Sequence, residues 1–257
     1  MTFLRHSMFM AIRHLRALWR QPWYVAVTLV QPVIWILLFG ALFQRVVEIP
    51  GFATVSYIDF LTPGVVVMTA LFSSGWLGMS IVQDLDHGVL DRFLVSPVSR
   101  GALIAGLLGY NAVVATIQSI IVVVIGALDG AKFAGGMLGI LILIAVSVLL
   151  GAAFGAFSTA TALLTRKEET LIAAANFLVM PLTFLSSAFM QQNLVPKWIQ
   201  NIAPFNPVNW AVQGGRDAVT AQFAGTAVLQ DLVYLLLLAI VCGWLSTRAF
   251  RAYQRSI

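Results

Sequence analysis

Charge-free stretches long enough to cross a bilayer as a helix recur along the chain. One crossing of the hydrocarbon core takes about 20 mostly apolar residues. Five stretches of this kind cover residues 24–44, 60–83, 101–128, 133–165 and 170–190, and a sixth covers 228–247. The sixth includes one charged residue, Asp231, which we expect in the first helical turn, where the helix dipole favours a carboxylate. The pattern predicts an all-α integral membrane protein with six transmembrane helices.

The first residues, 1–22, have a different pattern. On a helix of about 100° per residue, Arg5, Arg13, Arg16 and Arg20 fall within a sector of roughly 80°, and most of the apolar side chains lie opposite them. This pattern predicts an interfacial helix on the cytoplasmic membrane surface. Such a helix either anchors the topology or docks a partner.

Prolines and glycines divide the segment 191–227. Pro196, Pro204, Pro207 and the Gly214-Gly215 pair exclude one continuous helix. Trp198 and Trp210 are spaced like interfacial anchors. We expect short re-entrant helices in the outer leaflet before the sixth span. An ordinary outer loop with surface helices is the alternative.

The loop 84–100 contains an apolar stripe that a solvated loop does not need. Leu90, Phe93 and Leu94 have the i, i+3, i+4 spacing of one helical face. Gly88 can end the preceding helix, and Pro97 can stop this one. The pattern predicts a short cytoplasmic helix pressed against another protein or the bilayer surface.

The distribution of basic residues predicts the orientation. With the N-terminus inside, inner segments hold eleven arginines and lysines and outer segments hold four. The inner residues are Arg5, Arg13, Arg16, Arg20, Arg92, Arg100, Arg166, Lys167, Arg248, Arg251 and Arg255, and the outer ones are Arg45, Lys132, Lys197 and Arg216. We therefore expect both termini in the cytoplasm.

Composition agrees with a membrane protein and excludes several kinds of chemistry. Hydrophobic residues make up 60% of the chain and charged residues 10%, whereas soluble domains are about a quarter charged. All three histidines lie in predicted cytoplasmic segments and there is one cysteine, Cys242, so neither a Ser–His protease nor a zinc cluster is expected. No lysine follows a glycine, so a P-loop is absent from these residues. We expect no catalytic, metal or cofactor-binding residues.

A few polar residues lie within the predicted spans. They either join neighbouring helices by hydrogen bonds or line a substrate path. The candidates for the path are Gln31, Asn111, Gln118, Asn176 and, beside them, the aromatic Phe184. Carboxylates that would couple transport to protons or sodium are missing from the middle of the spans.

Several of these motifs together resemble one family. They include Gln31-Pro32 in the first span, Thr62-Pro63-Gly64 opening the second, residues 88–100, Leu185-Ser186-Ser187-Ala188-Phe189, Val195-Pro196-x-Trp198, Asn206-Pro207 and Arg216. The chain resembles the membrane subunits of type-2 ABC exporters, particularly the bacterial drug, antibiotic and lipid exporters of the daunorubicin-resistance type. It departs from the family pattern at Asp86, where glutamate is usual, and at Met190-Gln191-Gln192, where a proline often follows.

The resemblance implies a single transmembrane domain, 1–257, that moves an amphiphilic substrate outward across the bacterial cytoplasmic membrane. It implies a homologous or identical second permease subunit, surrounding lipids, no nucleic acid, and two copies of a separate P-loop ATPase that binds ATP and magnesium. The chain itself would not be an enzyme. The implied ATPase-coupling residues are Asp86, Gly88, Leu90, Asp91, Arg92, Phe93, Leu94, Pro97 and Arg100, and the outer re-entrant residues are Pro196, Trp198, Asn206, Pro207 and Arg216.

Two other functions remain open from the residues alone. One is an ATP-independent secondary carrier, and the other is an assembly subunit that transports nothing. Residues 166–169 are either a second ATPase contact or a solvated turn.

Overall fold

A computed structural model describes residues 2–20, 22–49, 56–88, 100–220 and 225–255, and these residues contain helices and no strands. The α-helices are α1 Thr2–Arg20, α2 Pro22–Ile34, α3 Gly40–Leu42, α4 Tyr57–Gly75, α5 Leu77–Asp86, α6 Arg100–Leu128, α7 Gly136–Thr165, α8 Glu168–Phe184, α9 Lys197–Ile202, α10 Pro207–Val219 and α11 Gly225–Arg255.

Four helical stretches in the described part of the chain are long and apolar enough to cross a membrane. They are Tyr57–Asp86, Gly101–Leu128, Gly136–Thr165 and Gly225–Arg255. The stretches predicted as the first and fifth spans form shorter helices. A π-helical turn at Trp35–Phe39 separates α2 from α3, and α8 ends at Phe184, before the predicted boundary at residue 190. The all-helical membrane fold is confirmed, and the count of six spans stays a prediction.

The expected position of Asp231 was wrong. The last helix, α11, begins at Gly225, so Asp231 lies in its second turn rather than its first. Its side chain packs against Gly214 of α10, so Asp231 contacts a neighbouring helix instead of the N-terminal end of its own helix. Charge spacing alone placed the helix start too late because residues 225–227 are uncharged and extend the helix.

The prolines of the segment before α11 lie at helix boundaries, as their chemistry requires. Two 3₁₀ turns, Gln192–Leu194 and Ala203–Phe205, alternate with α9 and α10. Pro196 precedes α9, and Pro207 is the first residue of α10, where its missing N–H is not needed. The re-entrant placement of these helices stays a prediction.

The centre of the fold is α7, which contacts α4, α5, α6, α10 and α11. Leu143, Val146 and Leu150 of α7 are fully buried in the main hydrophobic cluster. Gly151 and Gly155 let α7 approach its neighbours closely, since a Cβ at Gly151 would lie 2.8 Å from Ser74 Oγ. This close approach is the packing that small residues allow between membrane helices.

The N-terminal helix packs on α6 through one stripe of side chains. The sequence pattern divided this helix into a basic face and an apolar face only, and did not separate this stripe from them. His14 lies against the ring of Tyr110 with centroids 5.5 Å apart, and Met10 packs on Gly106. Leu4 and Met8, on the adjacent apolar stripe, are 76% and 66% exposed. The helix thus has three stripes, one packed on protein, one apolar and exposed, and one basic.

An ion pair fixes the other edge of α1. Arg13 Nη2 donates to Asp84 Oδ1 at 2.8 Å, which joins α1 to the last turn of α5. Both side chains are partly exposed, so the pair contributes little to global stability. Its position links α1 to the beginning of the loop 84–100.

We expect Gly106→Ala to weaken the docking of α1 on α6. The new Cβ would lie 2.6 Å from Met10 Cβ and 2.7 Å from the Ser7 carbonyl oxygen, so the backbone of α1 must move. Overpacking of this kind costs about 1–3 kcal/mol. Thermal unfolding of the purified protein measures the change.

Gly109→Ala is the matched control, because its new Cβ would lie 3.9 Å from Ala11 Cβ, an ordinary contact. The two substitutions raise helix propensity equally. Equal stability of both variants would contradict the close packing of α1 on α6.

Candidate functional site

A crevice lies between α1 and α2 on one side and α4, α5 and α6 on the other, and it has two compartments that share lining residues. The narrow compartment has a volume of about 90 Å³ and the wide one about 460 Å³. Their sum lies in the range of small-molecule sites. Thr28, Ser73, Trp76 and Gln118 line both compartments. The narrow compartment adds the aromatic rings of Trp35 and Phe72, and the wide one adds His14, Gln83, Tyr110 and Asn111.

Two amides predicted for a substrate path lie together at the narrow compartment. Gln118 is 1% exposed, and its Nε2 donates to Thr28 Oγ1 at 3.1 Å, while its Oε1 has no hydrogen-bond partner among the described residues. Gln31 lines the same compartment from α2. The arrangement combines aromatic surface with neutral polar groups.

Asn111 lines the wide compartment and also joins three helices. Its Nδ2 donates to Ser74 Oγ at 2.9 Å and to the Gly151 carbonyl at 3.2 Å. These bonds connect α6 to α4 and α7. The two readings of this residue, a helix connector and a lining residue, are therefore both supported by its position.

Asn176 and Phe184 do not join the other candidates. Both are exposed on α8, and neither lines a described compartment of the crevice. Phe184 stacks on Phe189 with ring centroids 5.8 Å apart. Sequence position alone could not separate these two residues from Gln118, because the exposed face of α8 is apolar too.

A helix break lies beside the crevice at Trp76. The helical hydrogen bonds between α4 and α5 are interrupted there, and the hydroxyl of Ser158 on α7 fills the gap. Ser158 Oγ donates to the Gly75 carbonyl at 2.6 Å and accepts from the Gly78 N–H at 3.0 Å. The ring of Trp76 faces both compartments. Sequence reasoning missed Ser158, since nothing local distinguishes it from other serines in the spans.

The predicted coupling residues begin where α5 ends. Asp86 is the exposed last residue of α5, and Gly88 has φ +63°, a left-handed conformation that glycine adopts without strain. Leu90, Asp91, Arg92, Phe93, Leu94, Pro97 and the side chain of Arg100 lie outside the described residues. Their grouping on one helical face stays a prediction.

The crevice lining is almost free of charge. Among its described residues only His14 is an acid or base that titrates near neutral pH. Burial lowers the pKa of His14, the neighbouring Arg13 lowers it further, and Asp84 opposes them. The imidazole is therefore neutral at pH 7, so the described lining presents no net charge to a ligand.

A second polar cluster lies between the start of α4, the turn after α8, and α10. Arg216 donates to the carbonyls of Phe60 and Ser187 at 3.1 and 2.9 Å. Asn209 Oδ1 accepts from the Ser187 N–H at 3.0 Å. Asn206 caps α10 by accepting from the Val208 N–H at 2.9 Å, and its Nδ2 donates to the Leu182 carbonyl at 2.7 Å.

This cluster brings together three of the five predicted outer residues. Asn206, Pro207 and Arg216 belong to α10 or its cap, whereas Pro196 and the 58% exposed Trp198 lie at α9. Asn209 was not predicted, although its position beside Trp210 and two turns before Arg216 could have suggested an inward face. The hydrogen bonds of this cluster fix the non-helical backbone between α8 and α10.

Comparisons with known proteins point to one family. The model of the ABC-2 type transporter family matches residues 6–220. The daunorubicin resistance ABC transporter permease protein DrrB1 of Streptomyces coeruleorubidus is 28% identical, over 80% of this chain and 70% of that protein. The putative transport permease ycf38 of Cyanophora paradoxa is 29% identical, over 76% of this chain and 67% of that protein. The inner membrane transport permease YadH of Escherichia coli strain K12 is 24% identical, over 74% of each chain.

We expect Asn111→Leu to destabilise the helix bundle by about 1–2 kcal/mol, because two hydrogen bonds between helices are lost. Leucine is close to asparagine in size, so the change removes polarity with little change in volume. The midpoint of thermal unfolding in detergent measures the effect.

Asn176→Leu is the matched control, since it removes an exposed amide that has no role in the bundle. If the two variants are equally stable, Asn111 does not connect the helices, and its remaining role is to line the crevice.

Proposed function

Because the chain belongs to the ABC-2 type transporter family, we propose that it is the permease subunit of an ATP-driven exporter that moves an amphiphilic substrate outward. The family match over residues 6–220 is the observation that carries this proposal. The match includes the crevice, the helix break at Trp76 and the polar cluster around Arg216.

The energy for transport comes from a separate subunit in this proposal. The 257 residues contain no P-loop, the glycine-rich loop and lysine that hold ATP phosphates. Two copies of a P-loop ATPase bind ATP and magnesium beneath the membrane. This chain supplies the path and receives the force.

The loop 84–100 receives that force, and α5 transmits it to the crevice. This helix is held at one end by the Arg13–Asp84 ion pair and at the other by the two hydrogen bonds of Ser158. Trp76, at the pivot, faces the crevice. A tilt of α5 therefore changes the shape of the crevice directly.

The substrate is a drug-like, antibiotic or lipid-like amphiphile. Aromatic rings and neutral amides line the crevice, and apolar surface with a few convergent polar groups suits such molecules. The Streptomyces coeruleorubidus relative carries daunorubicin resistance in its name, which supports this substrate class.

The chain works as a pair with a second copy or a homologous permease in the bacterial cytoplasmic membrane. The exposed large apolar residues of α2, including Trp23, Val27 and Val30, agree with contact to lipid or to that second subunit. The eleven-to-four distribution of basic residues supports six spans with cytoplasmic termini.

We expect cysteines at 132 and 197 to react with an impermeant thiol reagent in intact cells, and a cysteine at 167 to react only after permeabilisation. Lys132, Lys167 and Lys197 are all exposed, so accessibility differs by side of the membrane alone. The single replacements are made on a Cys242→Ser background. Labelling at 167 in intact cells, without labelling at 132 or 197, would exclude the proposed topology.

Substitutions in the apolar stripe of the loop 84–100 test whether the chain docks an ATPase. If Leu94 is an anchor in the ATPase groove, Leu94→Ala should weaken docking by about 1–3 kcal/mol, the value of a buried aliphatic side chain. Membrane insertion should be unchanged, because the loop lies outside the bilayer. Co-purification of the ATPase and transport-coupled ATP hydrolysis measure the loss.

Arg92→Ala is the control, since an exposed rim charge contributes little to binding. If Leu90, Phe93 and Leu94 are all changed to Ser and both docking and transport persist, the stripe is not the docking face. Transport in proteoliposomes by the chain without any ATPase would favour a secondary carrier instead.

A further inference from the structure

A pocket of about 400 Å³ opens beside the polar cluster of α10, and its lining is unusually polar. Arg216 and Asp217 supply one positive and one negative group. The amides of Gln191, Gln192, Asn193 and Gln213 complete the polar part of the wall. Gln213 Nε2 donates to Gln192 Oε1 at 2.8 Å, so part of this wall is held in place.

The guanidinium of Arg216 is only partly satisfied by the protein. Nη2 donates to the Phe60 and Ser187 carbonyls, and Nη1 makes one long contact of 3.5 Å to Ser187 Oγ. Nε has no hydrogen-bond partner among the described residues. A guanidinium has five N–H donors, and because Nε is buried, the second N–H of Nη1 is the donor that remains for a ligand.

No carboxylate of the described residues is in ion-pair contact with the Arg216 guanidinium, and the adjacent Asp217 carboxylate acts on its charge only from a distance. The Phe60 ring lies 3.6 Å below the guanidinium carbon, and this contact orients the group without neutralising it. A partly buried charge is costly unless something compensates it.

A purely structural link between these segments would need fewer polar groups than this site contains. Nη2 alone joins the start of α4 to the turn after α8, and a neutral donor could make the same two bonds. The remaining N–H of Nη1, the adjacent carboxylate and four amides around one pocket indicate a ligand that has both signs of charge. Charge-assisted hydrogen bonds to phosphate are the strongest that arginine makes.

We propose that this pocket binds a zwitterionic phospholipid headgroup, with the phosphate on Arg216 and the ammonium on Asp217. Trp198 of α9 is exposed, as expected for a tryptophan at the membrane–water interface. The Trp210 ring, on α10 itself, donates its N–H to the Pro204 carbonyl at 2.6 Å and fixes the adjoining turn. Tryptophans on the two helices of this segment agree with a position of the pocket at headgroup level. The placement in the outer leaflet rests on the topology proposed above, whereas the binding chemistry does not depend on the ATPase.

The test uses the full-length chain, with any subunit that co-purifies, in nanodiscs of equal parts phosphatidylethanolamine and phosphatidylglycerol with identical acyl chains. Native mass spectrometry measures which lipid stays bound after release from the disc. We expect phosphatidylethanolamine to be retained about 10-fold more than its share, since one charged hydrogen bond distinguishes the two headgroups. Asp217→Asn should move this ratio towards phosphatidylglycerol, and Arg216→Gln should abolish retention of both.

Lys197→Gln is the matched control, because it removes an exposed basic residue of the same segment that does not line the pocket. It should leave the lipid ratio unchanged. If Arg216→Gln fails to fold, the change in lipid ratio caused by Asp217→Asn is the test of the proposal. An unbiased lipid ratio in the wild type, or one that Asp217→Asn does not change, would overturn the proposal.

A competition experiment distinguishes a membrane lipid from a soluble zwitterion as the ligand of this pocket. Glycerophosphoethanolamine at millimolar concentration should not displace the retained lipid if the acyl chains contribute to binding. Displacement at low concentration would mean that the site takes soluble molecules, and the lipid assignment would be wrong. If the wild-type chain docks no ATPase but keeps its lipid selectivity, the exporter proposal fails and this site still stands.

Discussion

Peptide groups at helix interruptions are the main constraint on this protein, because backbone that is shielded from water must find its hydrogen-bond partners within the protein. The described chain interrupts its helices beside the crevice and again between α8 and α11, and polar side chains from other elements fill both gaps. At the first, the Ser158 hydroxyl bridges the Gly75 carbonyl and the Gly78 N–H. At the second, Asn206, Asn209 and Arg216 bond to the backbone of residues 182, 187 and 60. Most buried polar residues of the fold therefore serve the backbone first.

This constraint explains why polar residues in the spans are poor guides to a substrate path. Asn111 lines the crevice, yet its amide is committed to Ser74 and Gly151. Gln118 lines it as well, with only one bond, to Thr28. A residue with unused hydrogen-bonding groups in a cavity is a stronger candidate for ligand contact than one whose groups are all bonded. By this criterion Gln118 in the crevice and Arg216 in the pocket beside α10 stand apart from Asn206, whose amide oxygen and nitrogen are both bonded to the backbone.

The sequence predicted the parts of the fold that depend on local hydropathy. The long helices α6, α7 and α11 follow from charge-free runs, and the breaks before α11 follow from prolines, whose missing N–H acts locally. It could not predict the Trp76 break, since residues 60–83 contain no charge and the compensating Ser158 is about 80 residues away in the chain. It likewise missed the packing stripe of α1, because His14 and Ser7 look polar until Tyr110 and Gly106 are placed against them. Pairings between distant residues carry no periodic signal.

The side chains that bond to the backbone at the two interruptions differ in stiffness. This difference determines which interruption can change its geometry. A serine hydroxyl is one rotatable group that donates and accepts at a single atom, so both of its bonds can persist while α5 tilts about Trp76. The guanidinium of Arg216 is a rigid fork held over a ring and two carbonyls, and Asn206 is fixed by its own helix cap. In the proposed mechanism, movement that enters from the loop 84–100 would be accommodated at the Ser158 break, beside the crevice, while the segment around α10 would keep its geometry. Access to the crevice can change without rebuilding the pocket at Arg216.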